Sequence, residues 1–286
     1  MAQGGEVCGP GLARLPLVTP TLPPATTTNH YLVGQTQAVL VDPSTPEPRS
    51  QARLQQWCAD FAAAGGTLCA LFLTHHHNDH SGAATDLAAT LQLPVWAHAK
   101  TAHLLSGKVA VARLIADGET VATNSDGTPW VALHTPGHAP GHLVLHHAAT
   151  ATVVAGDMVA GEGTILIDPQ DGDMGQYLAS LARLEALAPV ALAPAHGAVQ
   201  RQAVALLAHY QQHRRAREHK IWQALGDQPC APADVLPTAY ADVARFSWPL
   251  ALRSAISHLR HLQQHGLAQQ VGDRWRRAGS EAATRP

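Results

Sequence analysis

The chain has 286 residues, of which 46% are hydrophobic and 14% charged, and its mean hydropathy is −0.06. These values are typical of a globular protein with its own core, and they exclude a disordered chain and a membrane span of about 20 apolar residues. The net charge of −2 conceals two regions of opposite charge, because residues 1–200 sum to −8 and residues 201–286 sum to +6.

The first two-thirds of the chain alternates short apolar stretches with amphipathic ones. After a Pro- and Thr-rich segment at Thr19–Thr28, the stretches His30–Gly34 and Ala38–Val41 predict a β-hairpin. Leu68–Leu73 is an unbroken apolar run, typical of a strand covered on both faces. Further strands are predicted at Val95–Ala97, Val121–Ala122, Trp130–Leu133, Leu143–His146, Thr152–Ala155 and Val190–Ala193, and helices at Arg49–Ala64, Ala83–Leu93, Thr101–Leu105 and Met174–Leu187. This mixture predicts a layered α/β domain.

Beyond about Ala198 the pattern changes to helices without alternating strands. A long helix is predicted at Gln202–Leu225, shorter ones around Ala233–Ala244 and Pro249–His265, and a β-like end at Leu267–Arg277. Three helices and a terminal ribbon resemble a winged-helix unit. With the change of charge near residue 200, this predicts two domains, over residues 1–198 and 199–286.

The cellular compartment is predicted from the composition of the N-terminal segment and the spacing of the cysteines. Residues 1–28 contain no continuous apolar run of the signal-peptide kind. The four cysteines are scattered singly, which suits a reducing compartment. We therefore expect a cytoplasmic protein.

A dense cluster of potential metal ligands follows the strand predicted at Leu68–Leu73. Residues 74–80 read Thr-His-His-His-Asn-Asp-His, which contains the pattern H-x-H-x-D-H at His75, His77, Asp79 and His80. Imidazole and carboxylate groups at this density suit Zn²⁺ or a neighbouring transition metal. The additional His76 stands at an x position, and we expect it to be a solvent-facing or packing residue.

Three more fragments stand where predicted strands end. His138 lies between two Pro/Gly turns, Asp157 follows the strand Thr152–Ala155, and His196 follows the strand Val190–Ala193. Each alone is an ordinary turn or capping residue. In this order and spacing, together with the first motif, they predict a metal site.

This set of motifs resembles that of the metallo-β-lactamase superfamily over Asn29–His196. The resemblance implies an αββα sandwich in which His75, His77 and His138 hold one metal, Asp79, His80 and His196 hold the second, and Asp157 bridges both. It implies two Zn²⁺ ions, with Mn or Fe as alternatives, and a metal-bridging hydroxide as the attacking group, oriented by Asp79.

Within the superfamily, the chain is most similar to the β-lactamase-like protein 2 subgroup. The shared motifs are Asn29–Gly34, Thr74–Gly82, Thr135–His142, Gly156-Asp157 and Pro194–Gly197, followed by a winged-helix-like C-terminal domain. Animal members cleave single-stranded RNA, which implies a phosphodiesterase. The alternative is a thioester or ester hydrolase of the glyoxalase II type, although Met158–Gly161 differs from the Gly-Cys-Gly-Arg segment of that family.

The basic C-terminal region leaves the nature of the partner open. Arg214, Arg215, Arg217 and Lys220, with the segment Arg274–Arg277, can contact the phosphates of a nucleic acid, or they can form the solvated face of a domain that covers the active site. A small-molecule substrate is the alternative to single-stranded RNA. Two further functional hypotheses are an iron-dependent redox protein and a noncatalytic nucleic-acid-binding module.

Overall fold

The computed structural model describes residues 5–161 and 163–279, which form two sheets, flanking helices and a small C-terminal unit. The strands are β1 (Glu6–Gly9), β2 (Leu12–Val18), β3 (Thr27–Val33), β4 (Ala38–Val41), β5 (Leu68–Leu73), β6 (Val95–Ala97), β7 (Val111–Leu114), β8 (Thr120–Thr123), β9 (Pro129–His134), β10 (Leu143–His147), β11 (Thr152–Gly156), β12 (Ala191–Pro194), β13 (Ala268–Val271) and β14 (Arg274–Arg277). The helices are α1 (Pro48–Ala63), α2 (Asn78–Ser81), α3 (Ala84–Leu91), α4 (Ala99–Leu104), α5 (Met174–Ala186), α6 (Ala203–Ala224), α7 (Leu236–Ala239) and α8 (Trp248–Gln264).

The two large sheets pack face to face. The first has seven strands in the order β1-β2-β3-β4-β5-β6-β7, and the second has five in the order β12-β11-β10-β9-β8. Buried side chains from both sheets form one shared core, in which Val39 and Phe72 of the first sheet belong with Trp130 and Leu145 of the second. The sandwich removes the apolar inner face of each sheet from water.

Helices cover the outer face of each sheet. The first sheet packs against α1 and α3, with Leu54, Trp57 and Leu87 in one cluster. The second packs against α5 and α6, whose Tyr177 and Leu207 belong to another. Helix α5 begins where the Asp173 side chain accepts a hydrogen bond from the Gln176 backbone N–H, an ordinary N-cap. The resulting order of layers is αββα, as the family resemblance implied.

Most predicted elements exist with shifted ends, and three strands of the first sheet were not predicted. Strands β1, β2 and β7 are half-exposed, so their apolar residues do not form a continuous run. The predicted hairpin is confirmed, because β3 and β4 pair antiparallel with Tyr31 opposite Val41. The single helix predicted around Ala233–Ala244 is wrong in length. A 3-10 turn at Pro232–Val235 leads into the four-residue α7, and Pro237 has no N–H with which to join the two by a helical hydrogen bond.

The C-terminal unit has its own apolar cluster, formed by α6, α7, α8 and the β13–β14 ribbon. Ile221, Leu259 and Trp275 lie in it. Helix α6 also contributes Leu207 to the cluster beneath the second sheet, so this one helix is shared by both units. In the part of the chain that the structure describes, no helix is long and apolar enough to cross a membrane.

A buried arginine ties α6 to α7. The Arg217 guanidinium donates to the carbonyl oxygen of Ala239 and, at 2.7 Å, to Oδ1 of Asp242, and it stacks on the Tyr240 ring with Cζ 4.4 Å from the ring centroid. Lys220, one turn further along α6, reaches the same Asp242 at 3.2 Å but is half-exposed.

We expect Arg217→Ala to lower the free energy of unfolding by about 2 kcal/mol, because it removes charge-assisted hydrogen bonds from a buried position. Lys220→Ala is the matched control and should cost no more than about 0.5 kcal/mol, since an exposed ion pair contributes little. Urea denaturation of both variants measures the difference. Equal destabilisation would contradict a structural role for the buried guanidinium.

Candidate metal centre

The seven residues predicted as metal ligands come together at one edge of the sandwich, each at or just beyond the end of a strand. His75 and His77 follow β5, and Asp79 and His80 lie in the short α2 that comes next. The other three residues follow strands of the second sheet, with His138 after β9, Asp157 after β11 and His196 after β12.

Backbone hydrogen bonds join the two sheets at this edge. The Leu143 N–H donates to the Thr74 carbonyl oxygen at 2.9 Å, and the Asn29 N–H donates to the Ala195 carbonyl oxygen at 2.7 Å. The strand ends of both sheets are therefore held at a fixed separation, which sets the distances between their side chains.

Three imidazoles form the first group. Nε2 of His75 lies 2.9 Å from Nδ1 of His77 and 3.2 Å from Nε2 of His138. Nδ1 of His77 and Nε2 of His138 are themselves 3.0 Å apart. These three nitrogens are closer to one another than neutral lone pairs prefer, and a cation among them satisfies all three.

His80, His196 and Asp79 form the second group. Nε2 of His80 lies 3.9 Å from Oδ1 of Asp79, and Nε2 of His196 lies 3.6 Å from its Oδ2. Asp157 stands between the groups: its Oδ2 is 3.4 Å from Nε2 of His138, and its Oδ1 is 3.5 Å from Nε2 of both His80 and His196. The two oxygens of one carboxylate thus face different groups.

The outer nitrogen of each ligand histidine has a partner that leaves a lone pair on the inner nitrogen. Nδ1 of His80 donates to Oδ2 of Asp42 at 2.8 Å, and Nε2 of His77 donates to Oδ2 of Asp171 at 2.9 Å. A carboxylate only accepts, so the proton is on the outer nitrogen in both rings.

Backbone carbonyls and a threonine do the same for the other three rings. Nδ1 of His138 donates to the Leu166 carbonyl oxygen, and Nδ1 of His196 donates to that of Thr27, both at 2.9 Å. Nδ1 of His75 lies 3.0 Å from Oγ1 of Thr74, whose own proton goes to Asp42. All five inner nitrogens are therefore available to a cation.

The charge distribution also fits a cation. Burial lowers the pKa of His80, but the carboxylates of Asp157, Asp42 and Asp79 outweigh burial and raise it well above 6.5. Burial, reinforced by His77, lowers the pKa of His138 to about 4, which keeps its ring neutral. The negative field of the carboxylates attracts positive charge to the centre, whether a proton or a metal ion.

Two buried atoms at the centre have no hydrogen-bond partner among the described residues, namely Nε2 of His80 and Oδ1 of Asp157. An unpartnered buried acceptor is costly, so this pair fits a site that holds a metal ion. The donor set of nitrogen and carboxylate oxygen, without cysteine, suits zinc as well as manganese or iron.

Two glycines allow the backbone to bring ligands this close. Gly137, directly before His138, has φ of +132°, and a Cβ built there would lie 2.1 Å from the Tyr177 backbone nitrogen. Gly156, directly before Asp157, has φ of +49° and would place a Cβ 2.6 Å from Nε2 of His142. Any side chain at either position would displace the following ligand.

The ligands open onto a cavity of about 440 Å³. Asp79, His138, Asp157 and His196 lie in its wall, and residues 20–25 and 163–166 form its sides. Arg253 of α8 also lines it and pairs with Asp168. The C-terminal unit therefore contributes directly to the cavity, as a domain that covers the site would.

Several residues around the centre were not predicted from the sequence. Asp42 follows the buried strand β4, a signal that could have identified it, whereas Asp171 stands in an irregular segment with no distinguishing pattern. His76 was expected to face solvent or pack. Instead, its Nε2 lies 3.0 Å from the Oδ2 of Asp171 that also binds His77.

Comparison with known proteins identifies the families that the two parts of the chain match. Residues 23–196 match the family described as Metallo-beta-lactamase superfamily, and residues 231–275 match the Beta-lactamase associated winged helix domain. A Beta-lactamase-like protein 2 homolog from Drosophila melanogaster is 27% identical over 250 residues, which cover 84% of this chain and 83% of that protein.

Two other similarities concern an enzyme and a solved structure. The Atrochrysone carboxyl ACP thioesterase of Aspergillus chevalieri is 30% identical over 199 residues, which cover 69% of this chain and 60% of that protein. The crystal structure of a Beta-lactamase domain protein from Burkholderia ambifaria superposes with a TM-score of 0.81 at 22% identity. The match covers 97% of this chain and 95% of that protein's chain. The fold and the family matches confirm the resemblance inferred from the motifs. The chain belongs to the metallo-β-lactamase superfamily of hydrolases and carries the associated winged helix domain.

Proposed function

We propose that the protein is a two-zinc hydrolase that cleaves acyl thioesters. The observation that carries the two-metal hydrolase is the position of Asp157, whose two oxygens face two separate groups of imidazole nitrogens. His75, His77 and His138 would hold one ion, Asp79, His80 and His196 the other, and Asp157 both. Zinc in such a site supplies Lewis acidity and lowers the pKa of water toward neutrality.

The chain's own groups supply the proton handling. Asp79 lies in the cavity wall with its side chain 17% exposed, so a carboxylate oxygen can accept a proton from a water molecule that attacks the thioester carbonyl. The carbon–oxygen bond forms, the carbon–sulfur bond breaks, and the proton passes to the departing thiolate. The products are a thiol and a carboxylic acid, which ionises to the carboxylate by releasing the second proton of the water to solvent.

The burial of two C-terminal arginines weakens the case for RNA as the substrate. Arg214 is 4% exposed and Arg217 is 8% exposed, so both point into the protein. Trp275 is buried in the C-terminal cluster rather than presented to a base. Phosphate contacts need accessible cations. Of the residues expected to provide them, Arg214 and Arg217 are therefore removed, and Arg215, Lys220 and Arg274 remain exposed.

The similar thioesterase from Aspergillus chevalieri, which is 30% identical over 199 residues, supports the same substrate class. RNA cleavage, which the β-lactamase-like protein 2 subgroup suggests, is the alternative that the substrate experiment below separates.

Asp157→Ala should bind fewer than two metal ions per chain and lose hydrolysis by more than about 100-fold, because each group loses a ligand. Elemental analysis of the purified protein gives both the stoichiometry and the identity of the metal among zinc, manganese and iron. His103→Ala, which changes an exposed histidine of α4, is the control. Two ions retained in Asp157→Ala would contradict the bridging assignment.

Asp171→Asn should weaken zinc binding by about 10- to 100-fold, because an amide no longer fixes the proton of His77 on Nε2. Competition with a chelator measures the affinity, and imidazole NMR reports the tautomer of His77. Asp173→Asn is the matched control in the same segment, since asparagine caps a helix as well as aspartate. Unchanged affinity and tautomer in Asp171→Asn would remove Asp171 as a positioning residue.

The substrate prediction is tested with a panel of acyl N-acetylcysteamine thioesters and single-stranded RNA. We expect multiple turnovers on thioesters, a loss of at least about 100-fold in kcat/KM in Asp79→Asn, and no cleavage of RNA. Cleavage of RNA at substoichiometric enzyme, abolished in Asp79→Asn and without thioester hydrolysis, would replace the thioesterase proposal by a phosphodiesterase.

A further inference from the structure

A second cavity, of about 420 Å³, lies between the metal-binding domain and the C-terminal unit. It shares two wall segments with the metal-site cavity, residues 22–24 and 163–166. On its other sides are Tyr210 of α6, Tyr240 after α7, and Leu250 and Ala251 of α8. Its volume is in the range of pockets that hold small organic molecules.

The walls of this interdomain cavity are mainly apolar. Leucine, proline, isoleucine and tyrosine side chains come from both domains, and the two segments shared with the metal-site cavity are themselves largely apolar. Such walls favour a hydrocarbon or aromatic group over a sugar or a phosphodiester.

The cavity also contains a buried cation with little compensation. One Nη of Arg214 donates to the Ile165 carbonyl oxygen, and Cζ lies 5.4 Å from the centroid of the Tyr177 ring. Its Nε is buried without a hydrogen-bond partner, and no carboxylate of the described residues forms an ion pair with it. Arg217, by contrast, is paired with Asp242. A buried guanidinium without a counter-ion fits an anionic ligand group.

Arg214 is linked to the metal centre through few residues. The Tyr177 ring on which it stacks donates its hydroxyl proton to the Met158 carbonyl oxygen at 2.8 Å, and Met158 follows Asp157 directly. Because the two cavities share the wall segments 22–24 and 163–166, a molecule whose reacting carbonyl lies at the metal centre can extend into the interdomain cavity toward Arg214.

We infer that the interdomain cavity binds the acyl group of the substrate, and that this acyl group is apolar along its length and ends in a carboxylate that pairs with Arg214. The inference rests on the proposed thioesterase function and specifies its substrate class. The apolar walls hold the chain, and the guanidinium selects acyl groups with a distal anion over simple fatty acyl groups.

The test measures binding rather than hydrolysis, so it is independent of the proposed reaction. Two thioether probes that cannot be hydrolysed, S-octyl-N-acetylcysteamine and S-(7-carboxyheptyl)-N-acetylcysteamine, are titrated calorimetrically into the full-length metal-loaded protein. We expect the carboxylated probe to bind at least about 10-fold more tightly.

Three variants locate the binding. Arg214→Gln should weaken binding of the carboxylated probe by about 10- to 100-fold and change binding of the octyl probe by less than about 3-fold. Arg214→Lys should recover part of the lost affinity for the carboxylated probe. Leu250→Asp should weaken both probes, because it places a charge in the apolar wall. Arg215→Gln, an exposed neighbour on the same helix, is the matched control and should change neither.

Thermal denaturation of each variant establishes that it is folded before it is titrated. Equal binding of the two probes, or loss of the carboxylated probe in Leu250→Asp but not in Arg214→Gln, would overturn the inference. If the protein hydrolyses thioesters but binds both probes equally, the inference is overturned and the thioesterase proposal stands. If it binds the carboxylated probe selectively but hydrolyses no thioester, the thioesterase proposal is overturned and the binding site for an apolar chain with a distal carboxylate stands.

Discussion

The structure depends on one electrostatic constraint, the convergence of five imidazole nitrogens and two carboxylates at the edge of the sandwich. These groups repel one another or lack partners unless positive charge lies among them, as the unpartnered atoms of His80 and Asp157 illustrate. Burying such a set is costly, and the surrounding structure offsets that cost by fixing every ring. The short backbone contacts between the two sheets provide the necessary rigidity.

The partners that fix the rings come from separate parts of the chain. Asp42 follows β4, Thr27 begins β3, and Leu166 and Asp171 lie in the segment between β11 and α5. Each holds a proton on the outer nitrogen of a histidine, which leaves the inner lone pair for a metal ion. The segment after β11 therefore has two tasks, since residues 163–166 also form a wall of the cavity.

The C-terminal unit is joined to the site by side chains of α6 and α8 that point inward. Arg253 reaches Asp168 in the metal-site cavity, and Arg214 reaches Ile165 in the neighbouring interdomain cavity. Of the basic residues that look like a nucleic-acid surface in the sequence, Arg214 thus contacts the other domain and Arg217 contacts α7 within the C-terminal unit, whereas Arg215 and Lys220 are exposed. The positive charge of residues 201–286 complements the negative charge of the metal-binding domain.

The ligand motifs could be recognised in the sequence because they follow predicted strands in a set order, and the resemblance to the metallo-β-lactamase superfamily implied the role of each residue. The unbroken run Leu68–Leu73 was predicted with the bounds that the structure has, whereas the half-exposed β1, β2 and β7 carry no comparable signal. Asp171 and Arg214 could not have been assigned in this way. Whether a charged side chain orients a ligand, pairs with another domain or faces solvent depends on which distant segments surround it, and only the packing of the sheets and helices determines that.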